Sequence, residues 1–200
     1  MASPDELVAR LIHEQRQQEA ILVLTLARME EQATAGGWDQ PPWLFMLHRA
    51  LPPPELADAL QGGVMQLMSV QAMGILPVPT SAALIRALTA LANYLRDAPD
   101  DTRFVPELGP DMMAWVLINE GWQLTAPSAS DMDSLETLAQ AGHIKEHPNR
   151  VEVRFLLAVD RTLTRYQVTR EREGRLWASI GDEVQGALHD ALGELMEATP

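Results

Sequence analysis

The chain has 200 residues, 46% hydrophobic and 22% charged, with a net charge of −13 and no cysteine. That length and apolar content suit one packed domain over residues 1–200. The missing thiols exclude disulfide frameworks, thiolate zinc sites, iron–sulfur clusters and cysteine nucleophiles.

The first residues, Met1-Ala2-Ser3-Pro4-Asp5-Glu6, are acidic where a secretory signal is basic. The longest near-apolar run, Ala20 to Ala27, is far short of a membrane span. The expectation is a soluble, cytoplasmic domain with no membrane partner. The charge is uneven. Between Lys145 and Arg175 eight bases face five acids, leaving +3 there and −16 on the remainder. Nucleic acid is an unlikely partner for such a body.

Ser3 as N-cap, Pro4 in the first turn and Glu6 three residues after the cap open a helix that runs to about Thr34, before Gly36-Gly37. Its apolar residues form two groups: Leu7, Val8, Leu11 and Ile12, then Ile21 to Met29. Seven polar residues, His13 to Glu19, separate them. The second group is expected to dock in the core, and residues 1–19 to form a projecting arm that packs on a second copy of the chain. Trp43 to His48 is apolar on both faces and reads as a buried strand. After Pro52-Pro53-Pro54 come a short helix from Glu55 to Leu60 and a Met-rich segment, Val64 to Met73, read as another helix. Gly74 to Pro79 is a linker. Thr80 or Ser81 then caps a helix with Leu84, Ile85, Leu88, Leu91 and Leu95 on one stripe.

Met112 to Gln123 reads as a strand, followed by a loop, a short helix from Ser134 to Ala141 and a connection to Asn149. The clearest sheet signal is Val151, Val153, Phe155, Leu157 and Val159 alternating with Glu152 and Arg154. Asp160-Arg161-Thr162 turns the chain into a return strand, Leu163 to Arg172. Arg175 to Ile180 adds a short strand, and Gly181-Asp182 caps a final helix with Val184, Leu188, Ala191, Leu192 and Leu195 in its stripe. Strands and helices do not alternate as in a parallel fold. The expected architecture is α+β: an antiparallel sheet of four to five strands packed against helices, including a long N-terminal and a C-terminal helix.

Chemistry is sparsely marked. His143 and His147 have metal-ligand spacing, but Gly142 and Pro148 bracket them and the glutamate is misplaced for a zinc peptidase, so they read as a solvated loop and no metal is expected. No glycine-rich phosphate loop or nucleophile elbow occurs, so no cofactor is expected and no catalytic residue is assigned. His48 and Glu120, near strand ends, could join Arg154 in a pocket for acid–base work near strands 43–48 and 112–122. The Arg-rich hairpin, with Arg154, Arg165, Tyr166 and Arg170, reads either as a balanced solvated face or as a surface for an acidic protein.

Gly37-Trp38-Asp39-Gln40-Pro41-Pro42-Trp43-Leu44-Phe45, Glu120-Gly121-Trp122 and Arg150 to Arg161 together resemble uncharacterised small proteins of GC-rich Gram-positive bacteria and their phages, and the arginine bias, 14 of 15 bases, fits that source. The resemblance implies no activity. The functional expectation is a non-catalytic, self-associating interaction or regulatory module whose partner is a homo-oligomer mate or another protein. The alternatives are a small-ligand-binding protein or enzyme, and an acidic mimic of nucleic acid.

Overall fold

A computed structural model describes residues 4–50, 67–78, 80–98, 108–109, 111–124 and 149–200, with side chains of the first helix described from residue 15 onward. Helix α1 (Pro4–Ala35) is continuous over 32 residues, about 48 Å of helix. It is followed by strands β1 (Trp43–Ala50) and β2 (Leu67–Ile75), helix α2 (Ser81–Asp97), strands β3 (Met112–Leu124), β4 (Arg150–Asp160), β5 (Arg165–Glu171) and β6 (Leu176–Ile180), and helix α3 (Ala187–Glu197). The strands form one six-stranded antiparallel sheet in the order β2-β1-β3-β4-β5-β6. The α+β class and the helices at both ends of the chain follow the sequence pattern.

The sheet has one strand more than expected because residues 67–75 are β2, where the sequence suggested a helix. Met, Leu and Val in a short apolar run fit either period, and pairing with β1 from Trp43↔Ile75 to Ala50↔Leu67 decides the conformation. The expected helices at 55–60 and 134–141, the N-cap Ser3 and the His143–His147 pair lie outside the described residues.

Both faces of the sheet are covered. On one, Leu22, Leu26 and Met29 of α1 pack on Leu47, Ala114, Val116, Ile118, Leu156, Ala158, Tyr166 and Val168. On the other, Leu84, Leu88, Ala92 and Leu95 of α2 and Ala191, Leu192 and Leu195 of α3 pack on Leu44, Met46, Trp115, Leu117, Leu157 and Val159. Thr80 caps α2 by accepting from the Ala83 amide at 3.2 Å. The polar face expected for β4 is therefore a second core face: α1 lies over it, and Arg154 is 1% exposed.

The final helix starts later than the sequence suggested. Gly181–Glu183 forms a single 3-10 turn, and Gly186, at φ +144°, precedes the first turn of α3. Only glycine adopts that backbone without strain. Among the described residues no helix is long and apolar enough to cross a membrane.

Candidate functional site

Leu22, Leu26, Met29 and Glu30 occupy i, i+4, i+7 and i+8 of α1, so the stripe that buries three apolar side chains also carries a carboxylate into the core. Glu30 is 0% exposed. A carboxylate so placed needs cationic partners. They come from β5 and β4: Arg170 donates to Glu30 Oε2 from Nε at 3.0 Å and pairs through Nη2 at 2.9 Å, while Arg154 Nη1 stands 3.6 Å from Oε1. Thr34, one turn on, donates its hydroxyl to Oε1 at 2.6 Å.

Arg154 is the centre of the cluster. Its Nε and Nη2 donate to Glu120 Oε1 at 3.0 and 2.7 Å, and its Nη1 to Thr34 Oγ1 at 3.1 Å. Its Nη2 also donates to the carbonyl of Gly37. Glu120 comes from the register of β3 on β4, which sets it opposite Arg154. Its other oxygen accepts the backbone amides of Asp39 at 2.6 Å and Gln40 at 3.2 Å. Gly37 at φ +89° and Asp39 at φ +66° bend the α1–β1 connection into a concave turn whose successive amides meet the carboxylate. The Trp38 ring lies under two guanidiniums, with Cζ of Arg154 at 4.6 Å and of Arg172 at 5.5 Å. Arg172 in turn holds Glu152 at 2.6 Å.

Four elements, α1, the α1–β1 turn, β3 and the β4–β5 hairpin, are thus joined by one buried ionic network. Both oxygens of Glu120 and both of Glu30 are occupied. A general acid or base needs a lone pair or proton within reach of a substrate, and both carboxylates and the Arg154 guanidinium are already directed at other parts of the chain. The arrangement fixes structure.

The structure brings Glu120 and Arg154 together but not His48. His48 pairs with Met112 and Ser69, eight residues along β3 from Glu120, which is about 27 Å of strand. Alternation from Leu47 also puts it on the α2–α3 face, opposite to Glu120. Its Nε2 is buried with no hydrogen-bond partner among the described residues. The expected three-residue pocket does not form.

The hairpin residues are likewise occupied internally. Tyr166 is buried and its hydroxyl donates to Asp160 Oδ2 at 2.8 Å. Burial, with the Asp160 carboxylate beside it, raises the phenol's pKa well above its ordinary value. Asp160 Oδ1 accepts the amides of Thr162 and Thr164 at 2.9 and 3.0 Å and so shapes the turn. Arg165 pairs with Asp190 of α3 at 2.7 Å. Between the hairpin tip and the start of α3 lies an open hollow of about 740 Å³, lined by Thr162, Thr164, Arg165, Asp182, Gln185 and Asp190 among others. Its one arginine is paired with Asp190, which leaves the Asp182 carboxylate among neutral threonine and glutamine side chains.

Sequence reasoning missed Glu30, Thr34 and Trp38. Glu30 carried a signal, since it continues the i+4 stripe of Leu22 and Leu26. Among the described residues no group of three His, Cys, Asp or Glu side chains could hold a metal. In comparisons with known proteins, no family model, curated protein sequence or solved structure matches the chain.

Proposed function

We propose that the protein is a non-catalytic interaction module that associates with itself. The observation that carries this reading is the outer edge of β2, a nine-residue strand with no charged residue and no proline, beyond which no strand lies among the described residues. An unpaired strand edge offers a row of amides and carbonyls to another chain. The saturation of the Arg154 network supports the same reading, because it removes the charged groups best placed for chemistry. Glu30, Glu120, Asp160 and Asp190 are each tied to a base or turn, which is unlike the free carboxylate rows that a mimic of nucleic acid needs.

Light scattering on the purified chain tests the proposal. A mass above the 22.1 kDa of one chain at micromolar concentration is the expected result. A strict monomer at that concentration would overturn it.

A further inference from the structure

The two outer edges of the sheet are protected to different degrees. β6 has five residues, lies between Glu173-Gly174-Arg175 and Asp182-Glu183, and its Trp177 ring is covered by the Arg175 guanidinium at 6.0 Å. A short strand fringed by charge is a poor template for further pairing. β2 has neither defence. It pairs regularly with β1 from Leu67 to Ala72, and only at Met73 does an extra residue interrupt the ladder, with Phe45↔Ala72 followed by Leu44↔Gly74. Val70 is 45% exposed, and Ser69 and Ala72 are exposed beside it. Among the described residues no strand lies beyond β2.

We propose that the occupant of this edge is β2 of a second copy, paired antiparallel across a two-fold axis at Val70. The inference rests on the reading of the chain as self-associating and gives that association a surface and a register. A two-fold axis normal to the sheet keeps each face continuous, so opposed residues share a face and lie an even number apart. The axis must then pass through a residue. At Val70 it sets Val70 against its own mate and Met68 against Ala72 on the α1 face, a large side chain over a small one. Ser69 meets Gln71 on the other face. At Ser69 it would oppose Leu67 to Gln71, and at Gln71 it would run into the irregularity at Met73.

Self-pairing also meets the charge problem. Two chains of −13 repel each other, and this seam brings no charged side chain opposite another. An isologous contact closes as a dimer and occupies both vulnerable edges, whereas β2 on β6 would propagate as a filament. Helix α1 enlarges the contact beyond the strand pair. α1 reaches β2, and Met68 of β2 packs against the apolar cluster that α1 builds on that face. That helix lies on the face that carries Met68 and Val70.

The chain has no cysteine, so single introduced cysteines report the seam without background. Sedimentation equilibrium of the intact protein is expected to give twice the 22.1 kDa chain mass. Val70→Lys sets two ammonium groups against each other at the axis and is expected to raise the dimer dissociation constant about tenfold or more with unchanged circular dichroism. Ala178→Lys on β6 leaves the dimer intact. On oxidation Val70→Cys forms a disulfide-linked dimer. Ser69→Cys does not, because its mate is set beyond the roughly 7 Å that a disulfide spans. If Val70→Lys fails to fold, the two cysteine variants decide alone. An oligomer that survives Val70→Lys, or one that crosslinks through Ser69→Cys in preference to Val70→Cys, overturns the β2 seam and leaves self-association standing. A monomeric wild type overturns both.

Discussion

Replacing Arg154 with methionine keeps most of the side-chain length and removes the charge at the centre of the buried network. The variant loses two bonds to Glu120, one to Thr34 and one to Gly37, and the ring of Trp38 loses a guanidinium at 4.6 Å. Glu120 keeps only the amides of Asp39 and Gln40, and Glu30 keeps Arg170 and Thr34. Removing one partner of a buried ion pair costs about 3–5 kcal/mol, because the other charge stays desolvated. With a urea slope of about 2 kcal/mol/M, a loss of about 4 kcal/mol lowers the unfolding midpoint by about 2 M. Arg172→Met is the control. Arg172 also lies over Trp38 and also holds a glutamate at 2.6 Å, but it is exposed, and screening leaves surface pairs with little net effect. Its midpoint should stay near that of the wild type. Equal midpoints for the two variants, measured by urea titration with tryptophan fluorescence, would refute the claim that burial gives this network its weight.

His189 sits buried in α3 with its Nε2–H donating to the Tyr166 carbonyl at 3.2 Å, and burial, with Arg165 acting in the same direction, lowers its pKa below the ordinary histidine value. The unfolded chain therefore takes up a proton near pH 6.5 that the folded chain refuses. This contribution to stability is full above pH 6.5 and declines as the pH falls towards the folded-state pKa, by at most about 1.4 kcal/mol per pH unit. His189→Gln should flatten the fall in urea midpoint between about pH 6.5 and 5, and an unaltered slope would count against the assignment. Two glycines of the last segment should respond in opposite directions. A Cβ at Gly193, inside α3, meets nothing within 4 Å, so Gly193→Ala should stabilise by about 0.5–1 kcal/mol. Gly186, at φ +144°, is strained by any Cβ, and Gly186→Ala should lower the melting temperature.

The elements most legible in the sequence were those whose period was long and clean. The stripe of α2, its Thr80 cap and the alternation of β4 are local patterns that tertiary contacts reinforce. β2 was not legible because a short run of mostly apolar or small residues satisfies both periods, and only β1 alongside selects the strand. The start of α3 was misread for a related reason: Gly181-Asp182 looks like a cap, but Gly186, five residues on, takes a backbone no helix interior accepts. The site was half legible. Glu120 and Arg154 could be suspected as partners, but the sequence presents Arg154 among the arginines of a hairpin read as a solvated face or a partner surface. That reading assumed nothing lay over the strand. Once α1 crosses it, the same alternation that suggested exposure places Leu156 and Ala158 in a core and forces Arg154 to find carboxylates there. Its partners lie 34 and 124 positions away in the chain, from Glu120 and Glu30, a distance no local pattern spans.

The charge asymmetry of the chain has a consequence for how copies meet. The hairpin's positive excess is consumed within the fold, with Arg154 and Arg170 on Glu30, Arg165 on Asp190 and Arg172 on Asp39 and Glu152. What remains for a neighbouring molecule to sense is the overall −13. Two such bodies repel at long range, while an uncharged strand seam attracts only at contact. Salt shortens the repulsion, since the screening length falls from about 30 Å at 0.01 M to about 10 Å at 0.1 M ionic strength, and it leaves backbone pairing and apolar burial nearly untouched. The dissociation constant of the proposed β2 dimer should therefore fall as sodium chloride rises over that range, as read by sedimentation equilibrium. An assembly held by ion pairs between copies, such as the Arg-rich hairpin docking on the acidic body of a neighbour, would weaken over the same range. A dissociation constant that rises with salt would exclude the β2 seam as the source of association.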